Sequence, residues 1–190
     1  SNSVSSDKKY NIGICQLVQH EALDSATKGF QDAVTEALGD KVAFDVQNAQ
    51  GDSANCATII NQFVANNDDL ILANATAPLQ AAAAATNNIP ILGTSVTDYG
   101  VALAIDNWSG ATGINVSGTS DCAPLDEQAA MIKELFPNAK TVGLLYCSAE
   151  PNSKYQVEKI HEYLKKYGYN CEYFSFVDSN DIAAVTTGAC

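Results

Sequence analysis

Positive charge is scarce in this chain: 10 basic residues face 22 acidic ones, for a formal net charge of -12. No basic patch is available to neutralise phosphates. That excludes a nucleic-acid-binding module, and it excludes docking on an anionic membrane through a polybasic face. Long hydrophobic runs are also missing. The longest bland stretch, Ala81 to Ala85, falls far short of the roughly 20 apolar residues of a membrane helix. The chain opens polar, without the pattern of a signal peptide, and we read residues 1–9 as a tag or tether outside the fold.

Metal and redox motifs are absent as well. There are two histidines, and the six cysteines (Cys15, Cys56, Cys122, Cys147, Cys171 and Cys190) are widely and irregularly spaced with no CxxC pair. Cys15 and Cys147 close strongly apolar segments. Buried, reduced thiols acting as small hydrophobes are favoured over a disulfide framework or a metal site, although sequence alone leaves the redox state open. No GxxxxGK[ST] phosphate loop, no GxGxxG after the first strand, no HExxH and no GxSxG elbow occurs. Ser120 and Asp121 have no identifiable histidine partner, so a Ser-His-Asp triad is not supported. We assign no catalytic residue, no cofactor and no metal ligand.

What is present is a 46% hydrophobic composition over 190 residues, enough to bury a core in one large domain or two lobes. Short β-rich runs alternate with helical periods. Tyr10 to Leu17 reads as a buried strand. Ala22, Ala26, Phe30, Val34 and Leu38 recur at helical spacing and Gly39 ends the helix. Val42 to Val46 is a second strand. Ser53 is the expected N-cap of a helix to about Ala65, with Ile59, Ile60, Phe63 and Val64 inward. Leu70 to Ala73, an Ala-rich helix over Ala77 to Thr86, and Ile89 to Leu92 follow. Such an order predicts a parallel sheet with both faces covered by helices.

Gly93 to Ser120 is a polar stretch containing Tyr99 and Trp108, which we expect to serve packing, and a fifth strand is expected at Ile114 to Val116. The rhythm then restarts. Helices are expected over Asp126 to Phe136 and Asn152 to Tyr167, strands over Thr141 to Cys147 and Cys171 to Val177, and a last helix from about Asp181 capped by Ser179 or Asn180. The fold class is therefore α/β, with two Rossmann-like lobes: 10–120 as an N-terminal lobe and 121–190 as a partial C-terminal one. Two strands and an unfinished third unit do not make a self-sufficient sheet, so the second lobe reads as truncated.

Ligands of open α/β sheets bind outside the carboxyl ends of the strands. At those ends lie Gln16 and His20, Asn74 and Thr76, and Ser95 in the first lobe. Ser148, Glu150, Asn152 and Ser153 occupy the same place in the second. Taken singly, Thr76, Ser95, Asn152 and Ser153 read as helix caps or turn formers. Together, on one rim of each lobe and next to helix N-termini, they suit a site for a carboxylate or similar anion. His20 is a neutral hydrogen-bonding rim residue or a solvated loop histidine. Glu150 is a partner for a ligand ammonium or an exposed turn acid.

Five stretches carry a family resemblance: Tyr10 to Gln16, His20 to Asp24, Ile89 to Asp98, Gly113 to Asp121 and Val142 to Ser153. In these the chain resembles the substrate-binding proteins of bacterial ABC importers, in the branch related to the tryptophan-binding component TrpX. The resemblance implies a periplasmic-binding-protein type I fold and an extracytoplasmic lipoprotein that delivers its ligand to a membrane permease. It implies an amino-acid ligand, aromatic in that branch, held in the cleft between lobes by the loops around Gln16, Thr76, Ser95, Ser148, Asn152 and Ser153. It also implies a longer protein whose remainder completes the second lobe. A ligand-sensing domain of a receptor or regulator with the same fold is the alternative. A Rossmann-like hydrolase or transferase is a third reading, with little in the residues to support it.

Overall fold

The computed structural model describes residues 8–189, so seven of the nine tether residues lie outside the described residues. The chain divides into two compact units that part between Asp121 and Cys122. In the first, β1 (Tyr10–Gln16), β2 (Val42–Asn48), β3 (Leu70–Asn74), β4 (Ile91–Val96) and β5 (Val116–Ser120) form a parallel sheet in the order β2-β1-β3-β4-β5. The helices between them are α1 (Glu21–Leu38), α2 (Ser53–Ala65), α3 (Thr76–Ala85) and the short α4 (Tyr99–Ala102), with one 3-10 turn at Gly39–Lys41.

Strand alternation decides which helix packs where. Ile12 and Ile14 of β1 and Leu72 of β3 face one way and meet Phe30 and Val34 of α1. Cys15, Ile71, Ala73 and Ile91 face the other way, onto Ile60 and Phe63 of α2 and Leu79 and Ala82 of α3. Both faces are covered, and this is why these strands read as nearly continuous apolar runs. Gly13 is required on the α2 face: a Cβ there would overlap the Phe63 ring and the Asp68 carboxylate.

Several boundaries differ from the sequence reading, each for a local reason. The N-cap of α2 is Asp52, whose carboxylate accepts from the Ala54 N–H at 2.7 Å, and Ser53 is the first helical residue instead. Pro90 delays β4 to Ile91, and β4 then continues through the polar residues Gly93 to Ser95 to Val96. The fifth strand occupies Val116–Ser120 rather than Ile114 to Val116. It pairs with β4 through a register shift between Gly93 and Val96. Helix α7 begins at Ile182, and the Asp178 side chain accepts from the Asn180 N–H rather than Asn180 capping a helix. Tyr99 packs in the core as expected, whereas Trp108 is 36% exposed and covers Gly100 from outside.

The second unit holds α5 (Leu125–Leu135), β6 (Thr141–Cys147), α6 (Pro151–Lys166), β7 (Asn170–Phe176) and α7 (Ile182–Ala189), with β6 and β7 parallel. Its small core gathers Ala129, Leu144, Leu164 and Tyr169. Cys15 and Cys56 are buried thiols as expected, but Cys147 and Cys171 are only half-buried and Cys122 is exposed. Among the described residues no helix is long and apolar enough to cross a membrane, and no group of three or more His, Cys, Asp or Glu side chains could hold a metal ion.

Candidate functional site

In the first unit, consecutive strands step from β1 to β2 on one side and then to β3 on the other. The chain therefore changes direction between β1 and β3, and the crevice beyond their carboxyl ends is the topological switch point, where open α/β sheets receive ligands. Two loops frame it: Leu17 to His20 after β1, and Ala75 with Thr76 after β3.

Gln16 ends β1 and is 5% exposed. Its amide nitrogen donates to the Asp24 carboxylate at 2.6 Å and to the Val18 carbonyl at 2.9 Å, and its oxygen accepts from the Thr27 hydroxyl at 2.7 Å. Asn74, directly across on β3 and fully buried, donates to the same Thr27 oxygen at 2.9 Å and to the Leu23 carbonyl at 2.8 Å. This network fastens the first turns of α1 to the ends of β1 and β3. Both amide hydrogens of Gln16 are spent on it, so Gln16 shapes the rim rather than offering it free donors. His20 is exposed and caps α1, its Nδ1 accepting from the Ala22 N–H at 3.2 Å.

The β3 side is built differently. Thr76 is the first residue of α3 and is buried, and no side chain caps that helix. Pro78 has no N–H, so the donors at this end are the backbone N–H groups of Thr76 and Ala77, backed by the positive end of a ten-residue helix. Ala75, just before it, has φ 111° and ψ 172°, a region that is essentially glycine's own. Its N–H donates to the Thr94 carbonyl at 3.0 Å, which ties the turn to β4. On β4, Ser95 is half-buried with φ 56°, in the stretch where the pairing with β5 shifts. Thr76 and Ser95 thus belong to adjacent strand ends, as the sequence suggested.

The charge at this rim is unusual. All ten basic residues of the chain are lysines, and none lies in Leu17 to His20, Ala75 to Pro78 or Thr94 to Thr97. Within these three stretches an anion would be met by backbone N–H groups and hydroxyls, while Lys28 of α1 lines a cavity with Gln16 at the ends of β1 and β2. Tyr99 packs between β4 and β5 and donates to the Thr119 carbonyl at 3.2 Å, and burial pushes its phenol up to about 12.

The second unit repeats the pattern on a smaller scale. Ser148 is exposed, and both its N–H and its hydroxyl donate to the Phe176 carbonyl, at 2.8 and 3.2 Å. Glu150 is the exposed N-cap residue of α6, but its side chain makes no capping bond. Pro151 supplies the fixed φ suited to a first helical turn. Asn152 and Ser153 are half-buried. The Ser153 hydroxyl oxygen accepts from the Cys147 N–H at 3.0 Å, which joins the end of β6 to the start of α6.

Sequence reasoning missed the part played by Asp24 and Thr27, which hold Gln16 and Asn74 from a helix that looked purely amphipathic. It also missed Ala75, since an alanine in a glycine conformation leaves no trace in sequence. A single sign of the network was available: Asn74, a polar residue closing an otherwise apolar strand.

The sequence pattern of the family described as ABC transporter substrate binding protein matches residues 11–189. A tyrosine-binding protein of Clostridioides difficile is 43% identical over 170 residues, which is 86% of this chain and 48% of that protein. A solved ABC domain from Streptococcus pneumoniae in complex with L-Trp is 39% identical with a TM-score of 0.89, covering 96% of this chain and 62% of that one. A conserved domain protein from Vibrio cholerae is 32% identical with a TM-score of 0.88, covering 95% and 62%. The chain thus spans about half to three fifths of the length of these relatives.

Proposed function

We propose, from the premise that this chain belongs to the family of ABC transporter substrate-binding proteins, that it binds a small amino acid at the switch-point rim of its first unit. Its fold is of the periplasmic-binding-protein type I class, and substrate-binding proteins of ABC importers work outside the cytoplasm. The observation that carries the reading is the uncapped N-terminus of α3, placed where the strand order reverses. A carboxylate there would accept from the Thr76 and Ala77 N–H groups and from the Thr76 and Ser95 hydroxyls, with the helix dipole favouring its charge. Gln16 and His20 fix the opposite loop. Ser148, Glu150, Asn152 and Ser153 occupy the corresponding strand end and helix start of the second unit, and among them Glu150 is the group suited to an ammonium.

The relatives' names point to an aromatic side chain. One is described as tyrosine-binding and another was solved with L-Trp. We therefore assign Trp, Tyr or Phe as the ligand class. The family resemblance adds a membrane-embedded ABC permease as the acceptor and a lipid-anchored extracytoplasmic location, at the cell surface or in the periplasm. Binding without turnover is the proposed activity. The test is a thermal melt of the full-length protein with each amino acid. Stabilisation should grow as RT ln(1 + [L]/Kd), so a ligand at a hundredfold excess over Kd adds about 2.7 kcal/mol. An unchanged melting temperature with Trp, Tyr and Phe at millimolar concentration would remove the amino-acid reading.

A further inference from the structure

One cavity of the first unit lies at the amino-terminal edge of its sheet, away from the switch point. It has a volume of about 360 Å³, and its lining includes Asn11 of β1, Ala43 and Asp45 of β2, and Asn66 and Asp68 from the turn between α2 and β3. Every charged group in that lining is a carboxylate. In the parallel register Asp45 stands directly across from Gly13, so both face the same side of the sheet. The Asp68 Oδ2 lies over the same glycine, 2.8 Å from where a Cβ would stand. Two carboxylates therefore flank a position on β1 that has no side chain.

The chain does not satisfy this pair itself. Asp68 is 7% exposed, and its Oδ2 has no hydrogen-bond partner among the described residues. A buried oxygen of this kind calls for a water or an ion. Asp45 accepts from the Gln47 side-chain amide at 2.7 Å through one oxygen only. Asp69 is already engaged, by the Asn11 N–H at 2.9 Å and by Lys8 at 3.0 Å. Burial, and then the Asp45 and Asp69 carboxylates, push the Asp68 carboxyl above the usual range. A water would leave the repulsion between the carboxylates in place, whereas a cation removes it. The donor set differs from the clusters of three acids excluded above, since it joins two carboxylates to the exposed carboxamides of Asn11 and Asn66. Carboxamide oxygens also suit hard cations.

We propose that Asp45 and Asp68, with the carboxamide oxygens of Asn11 and Asn66, bind a divalent cation of the calcium or magnesium type at this edge of the sheet. All four groups offer oxygen, and waters complete the shell. The carboxylates come from β2 and from the turn between α2 and β3, so the ion ties that turn to the sheet. It also cancels the charge held against Phe63. With only two carboxylates the site belongs at the weak end of calcium affinities, with a Kd of about 10⁻⁴ to 10⁻³ M. It lies at the edge opposite the rim and stands whether or not an amino acid binds there.

The experiment is calorimetric titration of the chelator-treated full chain with CaCl2 and with MgCl2, at an ionic strength held constant with NaCl. The expected result is a saturable site for at least one of the two ions, with a melting temperature that rises as that ion is added. Asp68→Asn and Asp45→Asn should each weaken binding about tenfold or more, because each removes a ligand charge. Asp126→Asn, which changes an exposed acid in the first turn of α5, should leave it unaltered. On the unsubstituted chain, affinity should fall as the solution is acidified, since the ion must displace the proton that Asp68 holds. That measurement decides the matter even where a variant does not fold. Binding of neither ion would overturn the proposal, as would a melting shift that NaCl alone reproduces, undiminished binding by Asp68→Asn, or an affinity indifferent to acid.

Discussion

Asp68 is the residue with the least local support. Its side chain is 7% exposed, and among the described residues its Oδ2 is one of two buried side-chain oxygens without a hydrogen-bond partner. It sits against Gly13 and Phe63 at the amino-terminal end of the sheet, the edge opposite the proposed rim. Burial, and then the nearby Asp45 and Asp69 carboxylates, push its carboxyl above the usual range. The folded state therefore holds a proton at Asp68 more tightly than the unfolded chain does. The stabilisation from that proton is present below the ordinary aspartate pKa and is lost as pH rises through the raised folded value. Asp68→Asn should accordingly melt higher than the parent protein at neutral pH, with the gap narrowing in acid. Paired thermal melts across that range measure it. A variant that melts lower at neutral pH would show that the charge is compensated in a way the structure does not contain. Asp69, next in sequence, has the opposite environment: it accepts from the Asn11 N–H and pairs with Lys8, and both hold its carboxyl low.

At the scale of elements, what was legible follows from what makes each element form. α1, α2 and α6 carry apolar residues at helical spacing, and β1 and β3 are buried on both faces, so pattern alone placed them within a residue or two. β5 is different. Its sequence is Val-Ser-Gly-Thr-Ser, and only Val116 is buried. It is a strand because its backbone pairs with β4, a long-range condition that no local propensity expresses. The Tyr99 phenol is part of that arrangement, since it occupies the space where side chains at Gly93 and Gly118 would stand. Gly93→Ala should force the ring aside and cost about 1–3 kcal/mol, the usual range for overpacking a filled core. Chemical denaturation of the variant reads this directly, and a loss below about 0.5 kcal/mol would mean that Tyr99 is free to move. The site was legible to the same degree as its elements. Thr76 could be placed because a helix start after a strand is a local signal. The spent amide of Gln16 could not, because its partners Asp24 and Thr27 lie on a different element. The conformation of Ala75 is set by the turn's tie to β4.

At the scale of the whole molecule, the acidic balance now has a specific reading. The loops after β1, β3 and β4 carry no lysine or arginine, so under the proposed function a carboxylate at the start of α3 would rest on oriented backbone dipoles and hydroxyls. That arrangement favours a compact carboxylate in a defined position over anions in general, and it leaves the ligand side chain to be chosen elsewhere. The most direct measurement is calorimetric titration of the full-length protein with L-Tyr and L-Trp beside tyramine and tryptamine, the amines that keep the ring and the ammonium but lack the carboxylate. The account predicts saturable binding of at least one amino acid and none of its amine at matched concentration. Equal binding of the amine would contradict a carboxylate site at the start of α3, and binding of neither amino acid would contradict the proposed function itself.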